Sequence, residues 1–299
     1  MELVVRKTDL LKELSLLQGI VERKNTIPIL ANVLFDASGS TVSLLATDLD
    51  VGLRSSCPAT VSKPWTLTLP AKKLFEIVAA LPDTDIRINE DKAGKSVTIA
   101  ADRFESRMQT LPASEFPSPP DAAGTVAATL PGAVLKRMIA QTRFAITSED
   151  TRYFLTGAQL VLQPDSMSLV ATDGHRLAFV RVQEAGGLDA KTEVLLPRKT
   201  LNEIARLVEG EESVAFSQGE NHLFFAAGSR LLISRKIDAN FPAYERVIPK
   251  TNDKKIEFDR DRLSAAIRRV RLLSNERSKA IKFVMGQDQV EITSSTPEV

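Results

Sequence analysis

Ser43-Leu44-Leu45-Ala46-Thr47-Asp48 returns 125 positions later as Ser168-Leu169-Val170-Ala171-Thr172-Asp173, with five of six residues identical. Self-similarity at a long period marks a chain built from repeated structural units, and it decides the fold before local propensity does. Two further blocks move with it. Leu69-Pro70-Ala71-Lys72-Lys73-Leu74-Phe75-Glu76-Ile77 recurs as Leu196-Pro197-Arg198-Lys199-Thr200-Leu201-Asn202-Glu203-Ile204 at an offset of 127, and Phe116-Pro117 as Phe241-Pro242 at 125. Three blocks in one order, at nearly one offset, set out two repeats. A third begins near residue 252. Leu263 follows Leu135 by 128, Ser274-Asn275-Glu276 stands where Thr147-Ser148-Glu149 does, and Gln289-Val290-Glu291-Ile292-Thr293 takes the place of the strand before Ala-Thr-Asp. Extending the period, a complete third copy would reach about residue 370. The expected organisation is therefore two full domains, 1–120 and 128–249, and the N-terminal part of a third, 252–299. The connectors agree: Phe116 to Gly124 and Asp238 to Asp253 are proline-bearing and lack either periodicity.

Within each copy helices and strands alternate. Leu10, Leu14, Leu17 and Val21 fall on one helical face, as do Leu74, Ile77, Val78 and Leu81; Leu135, Met138 and Ile139; Leu201, Ile204, Ala205 and Val208; and Leu263, Ile267 and Val270. Pro70 and Pro197 sit at helix starts, where a missing N–H costs little. Thr41–Leu45, Ser96–Ala100 and Ser213–Phe216 read as strands, with turns at Ser38-Gly39-Ser40 and Lys92-Ala93-Gly94-Lys95. Each domain thus reads as two helix-plus-strands halves. A helix must bury its apolar stripe against a sheet, so the fold class is α+β.

Composition removes several function classes. Cys57 is the only cysteine, which excludes an internal disulfide and a cysteine-rich zinc site. Trp65, Tyr153 and Tyr244 are too few for a base-stacking platform. The segment from Met1 to Lys7 lacks the apolar core of a signal peptide, and no apolar run approaches a membrane span. The expectation is a soluble cytoplasmic protein without membrane contact.

The net charge of +1 is unremarkable, but its distribution is not. The five helical stretches carry −1 (9–20), +1 (70–81), +3 (131–143), +2 (197–208) and +3 (259–273), so they total +8 against −7 for the remainder. On the last, Arg262, Arg268, Arg269 and Arg271 avoid the Leu263/Ile267/Val270 stripe. A basic helix face is usually just solvated. One sign on four of five helices also fits a segregated surface for phosphates, which would position the protein without reading sequence.

Enzymatic readings find little support. Asp48 and Asp173, with His175 near the second, could suggest a hydrolase or metal centre, but Asp48 has no histidine nearby and Thr-Asp after a strand commonly makes a turn. Ala93-Gly94-Lys95-Ser96 lacks the leading glycine of a phosphate loop, Asn89 standing there, and reads as a hairpin turn. No catalytic site, cofactor or metal is expected. A protein of only two such repeats or a purely structural repeat protein is the other alternative, and the third repeat after residue 252 speaks against the two-repeat version.

Thr26-Ile27-Pro28-Ile29-Leu30, Leu111-Pro112-Ala113-Ser114-Glu115-Phe116-Pro117, Ala171-Thr172-Asp173-Gly174-His175-Arg176-Leu177-Ala178 and Phe241-Pro242-Ala243-Tyr244-Glu245-Arg246-Val247-Ile248-Pro249, with the repeated blocks above, resemble the bacterial DNA polymerase III beta subunit, the beta sliding clamp. The resemblance runs through the whole chain in order. It implies tandem DNA-clamp domains in a head-to-tail homodimeric ring around double-stranded DNA, with helices lining the hole and sheets outside. It also implies a non-enzymatic processivity factor of the polymerase III holoenzyme, opened and closed by a loader. Implied partners are the polymerase III alpha subunit, clamp-loader subunits and other proteins with a clamp-binding motif.

The resemblance carries over site residues position by position. For DNA they are Lys24, Lys73, Tyr153, Arg198 and Lys199. For the family's peptide cleft they are Leu155, Thr172, Gly174, His175, Arg176, Leu177, Pro242, Arg246 and Val247, the family's remaining cleft positions lying at its extreme C-terminus. For the dimer interface they are Lys73, Arg103, Ser106 and Met108, facing Leu272 and Leu273 of a second subunit; Ser106 departs from the bulky apolar residue of some members. Read without the family, Leu155, Leu177 and Val247 would be ordinary core packing, and His175 a structural hydrogen-bonding residue.

Overall fold

In the computed structural model the described residues are 2–22, 26–91, 94–122, 126–148, 150–183, 191–275, 278–287 and 289–294. The chain forms two compact units, Met1–Phe241 and Pro242–Val299.

The first unit is four variations on one β-α-β-β-β theme. The opening half has β1 (Glu2–Arg6), α1 (Lys7–Leu17), β2 (Asn32–Ser38), β3 (Thr41–Thr47) and β4 (Val51–Pro58), with the short β5 (Thr60–Val61) after it. The next has β6 (Trp65–Pro70), α2 (Ala71–Ala80), β7 (Asp85–Glu90), β8 (Ser96–Ala101) and β9 (Phe104–Gln109). The second repeat supplies β10 (Ala128–Pro131), α3 (Gly132–Thr142), β11 (Gly157–Leu162), β12 (Met167–Thr172) and β13 (Leu177–Val182). It closes with β14 (Thr192–Pro197), α4 (Arg198–Leu207), β15 (Ser213–Gln218), β16 (His222–Ala227) and β17 (Arg230–Arg235).

Three of the four helices follow their strand through a proline. Pro70, Pro131 and Pro197 are the residues before α2, α3 and α4, at φ −56, −63 and −57. Proline's fixed φ turns the strand into the helix without leaving an N–H unpaired. Most of the apolar stripes expected from spacing are buried: Leu10, Leu14 and Leu17 of α1, Leu74 and Val78 of α2 with Leu81 after it, Leu135, Met138 and Ile139 of α3, Leu201 and Ile204 of α4 with Val208 after it; Val21, Ile77 and Ala205 are only half-buried, and Leu207, outside the expected stripe, is buried. Each element ends within a few residues of its expected bounds. The largest difference is α1, which stops at Leu17 because Gln18–Ile20 form a turn.

Each half lends its leading strand to its neighbour's sheet. β1 pairs with β7 (Leu3↔Ile88) while β6 pairs with β2 (Phe35↔Leu67). In the second repeat β10 pairs with β15 (Leu130↔Val214) while β14 pairs with β11 (Leu160↔Val194). The two halves of a repeat therefore cannot separate without tearing sheets, and they share one core. All these pairings are antiparallel, and the sheets run β5-β1-β7-β8-β9, β10-β15-β16-β17-β4-β3-β2-β6 and β13-β12-β11-β14. The eight-stranded sheet crosses from one repeat to the other where β17 meets β4, with Leu232 opposite Leu53. This joint puts both repeats into one compact unit.

The second unit contains a short turn of helix at Tyr244–Arg246, then α5 (Arg260–Val270) and a hairpin of β18 (Lys282–Met285) and β19 (Val290–Thr293). Asp259 caps α5 by accepting the Arg262 amide at 2.7 Å. The α5 stripe of Leu263, Ile267 and Val270 is only half-buried, and an open cleft of about 640 Å³ lies between α5 and the hairpin, lined by Phe258, Leu263, Met285 and Val290 among others.

Candidate functional site

The loop after β12 is built by its own side chains. Asp173 Oδ1 accepts the amides of His175 and Arg176, both at 3.0 Å, and Oδ2 accepts Arg176 Nε at 3.0 Å. Thr172 Oγ1 accepts the Gly174 amide at 3.1 Å and donates to the Arg176 carbonyl at 2.7 Å. Backbone amides and the guanidinium hold the Asp173 carboxyl below its ordinary range. Asp48 makes the same turn after β3, accepting the Asp50 and Val51 amides. Both aspartates are thus turn formers, the role expected from Thr-Asp after a strand. Among the described residues no cluster of three or more His, Cys, Asp or Glu could hold a metal ion.

Gly174 has φ +87, a conformation that favours glycine, and an added Cβ would meet the end of the Arg152 side chain. Arg176 reaches out of the loop to the Phe144 carbonyl at 2.7 Å and lies over the Phe144 ring, 5.4 Å from its centroid. The outcome is a rigid polar loop beside an exposed aromatic ring. Leu177 is half-buried and His175 exposed, while Leu155 is buried yet outside both core clusters. The structure brings Thr172, Gly174, His175, Arg176 and Leu177 together on one loop and strand start. Phe144 had no signal in the sequence, because its link to Arg176 spans 32 positions. In the second unit Pro242, Arg246 and Val247 are exposed, Val247 at 69%.

Of the residues expected at phosphates, Lys24 lies outside the described residues. Lys73 is exposed beside Glu76 at 3.8 Å, Arg198 is exposed at the start of α4, and Tyr153 is 57% exposed. Lys199 departs from the expectation. Its ammonium donates to the Ile20 carbonyl at 2.9 Å, to Glu22 at 3.3 Å and to Asp48, so its charge is met inside the protein. On α5, Arg262, Arg268 and Arg269 are exposed, away from the apolar stripe, and so is Arg271 just after it.

Of the expected dimer residues, Arg103, Leu272 and Leu273 are exposed, and Ser106 is half-buried. Met108 pairs with Val97 on β8 and is 6% exposed, packed into its own core. What β9 offers is its outer edge, as the last strand of its sheet, with Phe104 40% exposed.

Paired β-α-β-β-β halves, joined edge to edge in tandem and carrying cations on their helices, define a protein of the DNA-clamp class. Comparison with known proteins narrows this. Family models of the DNA polymerase III beta subunit match along the chain: the N-terminal domain over residues 1–120, the central domain over 129–243 and the C-terminal domain over 245–299. The beta sliding clamp of Pseudomonas putida is 35% identical over 303 residues, covering 100% of this chain and 82% of that protein; that of Escherichia coli K12 is 33% identical, covering 100% and 81%. Among solved structures, the sliding clamp of Pseudomonas aeruginosa bound to griselimycin superposes with a TM-score of 0.92 at 34% identity, covering 100% of this chain and 81% of that one. The clamp of Caulobacter crescentus does so at 0.89 and 36%, with the same coverage. The chain belongs to the DNA polymerase III beta subunit family, the beta sliding clamps. Its function is that of a processivity clamp in DNA replication.

Proposed function

We propose that this chain works as one segment of a head-to-tail homodimeric ring around duplex DNA, built from clamp domains at 1–120, 128–249 and from 252 onward. Helices line the hole and sheets form the rim. Lys73, Tyr153 and Arg198 meet the sugar-phosphate backbone, with Lys24 at the position the family uses. The charge split supports this: cations gathered on helices attract phosphates without reading bases, and weak, water-bridged contacts leave the ring free to slide. Retention then comes from topology, and the chain itself carries out no catalysis. In the cytoplasm its partners are the polymerase III alpha subunit, clamp-loader subunits and other proteins bearing a clamp-binding motif. The dimer contact uses Lys73, Arg103 and Ser106 on one side and Leu272 and Leu273 on the other.

Partner peptides dock on Leu155, Thr172, Gly174, His175, Arg176 and Leu177 of the first unit; Pro242, Arg246 and Val247 are the positions that the family resemblance assigns to peptide binding in the second. The observation that supports this is the self-braced loop at 172–177, whose fixed polar groups lead directly into the half-buried apolar Leu177. Such a mixture suits a short peptide with an apolar anchor. The test is affinity for a clamp-binding peptide of the alpha subunit. Leu177→Lys is expected to abolish binding while leaving the melting temperature within a few degrees; Arg198→Glu is expected to weaken DNA contact only. Unchanged peptide affinity in the Leu177 variant would remove this surface from the proposal.

A further inference from the structure

Helix α1 ends without help from its own sequence. Its last turn holds no basic residue, and its final carbonyls lie beyond the reach of intrahelical amides. The turn that follows satisfies three of them: Gln18 N–H donates to Leu14, Gly19 to Leu16, and Ile20 and Val21 to Leu17. The Ser15 carbonyl receives its donor from 191 residues away, Nη2 of Arg206 on α4. Nη1 of the same guanidinium sits 3.4 Å from the Leu16 carbonyl and 2.9 Å from Glu203 Oε2. Lys199, two helical turns earlier on α4, donates to the Ile20 carbonyl and to Glu22 and Asp48. Two cations of the second repeat thus cover the negative end of a helix in the first, where the macrodipole favours them. Gly19 is the third part of the arrangement. A Cβ there would overlap Arg206 Nη1 and both Glu203 carboxylate oxygens. Its φ is not in the left-handed region, so what the glycine supplies is room for these two side-chain ends and not a special conformation.

We propose that Lys199 and Arg206, seated over Gly19, form a cap in trans on α1 that fixes the angle between the first two repeats, and that Lys199 serves this joint and not DNA. The inference stands apart from the DNA reading, since it rests on contacts within the protein. It also reassigns part of α4's positive charge: Arg198 is the cation at its start that remains exposed.

The test compares Lys199→Met and Arg206→Met, which keep the apolar stem, with Arg198→Met in the full chain. Amide hydrogen exchange at Gly19, Ile20 and Val21 is expected to speed up about tenfold in the first two and not in the third, as loss of a cap promotes local opening. A second measurement serves if a variant folds poorly. Gly19→Ala is expected to lower the melting temperature in the native sequence, and to leave it level or raise it when Glu203→Ala and Arg206→Ala have cleared the space. Exchange at Gly19–Val21 unchanged by Lys199→Met, with the salt slope of DNA binding reduced by about one, would make Lys199 a phosphate ligand and overturn the proposal. An equal loss from Gly19→Ala in both backgrounds would overturn it as well.

Discussion

Arg230 opens β17 and is almost fully buried, yet it is charged. Its guanidinium grips Glu13 of α1 with two bonds, Nε to Oε2 at 2.8 Å and Nη2 to Oε1 at 2.7 Å, and reaches Glu211 at 3.3 Å. The fork matches a carboxylate in geometry, so burial is tolerable for both partners. Removing one partner leaves the other charged and buried. Arg230→Ala is therefore expected to destabilise the first unit by roughly 3–5 kcal/mol in chemical denaturation. Arg230→Met combined with Glu13→Leu is expected to recover most of that, and no recovery would mean the pair is not what holds the site. Nothing in the sequence singles out Glu13 or Arg230, because they are 217 positions apart. A separation of 151 positions likewise hid the pairing with Asp48 of Lys199, which the sequence groups with the cations expected at phosphates. By contrast the turn role of Asp48 and Asp173 was legible, since an aspartate and the amides two and three residues on need only local sequence.

At the scale of elements, the periodicities that mark helices also name the buried stripes, because a helix faces its core with residues three and four apart. Strand partners obey no such local rule. The exchange of leading strands between halves joins Leu3 to Ile88 and Leu130 to Val214, and β1, with only Leu3 and Val5 buried on its inner face, is too short to announce itself. One hairpin was readable from its turn: β7 and β8 meet where Asn89 to Ser96 resembles a phosphate loop only superficially. Asp91 closes it, accepting the Lys95 amide at 3.0 Å, Ser96 Oγ at 2.7 Å and Arg107 Nη2 at 2.8 Å. Those donors, led by Ser96, lower its pKa to about 2. The folded value lies below the unfolded one, so the stabilisation is present above the ordinary carboxylate range and is lost as pH falls toward 2. A carboxyl-carbon NMR titration is expected to place the Asp91 midpoint near 2, and Asp91→Asn is expected to flatten the acid limb of the hairpin's stability. A midpoint near 4 would contradict the geometry.

For the molecule as a whole, the repeat is the feature that sequence and structure share. β4 and β13 are counterparts 126 positions apart, as are β9 and β17. Because β17 lies against β4, the edge of β9 is the first repeat's version of a surface already used for joining repeats. That is a physical reason for a chain of this kind to extend head to tail. The class of protein was legible because a period of about 125 residues survives in short blocks such as Ala46-Thr47-Asp48 and Ala171-Thr172-Asp173. Which cations face DNA was less so, because a charge on a helix does not reveal whether a carboxylate elsewhere has met it. The most direct test of the central claim is retention on DNA after incubation with a clamp loader and ATP. The account predicts that the protein stays with a closed circular duplex through gel filtration at moderate salt and is lost when one cut makes the circle linear. Equal retention on circular and linear DNA, or none on either, would contradict a clamp held by topology.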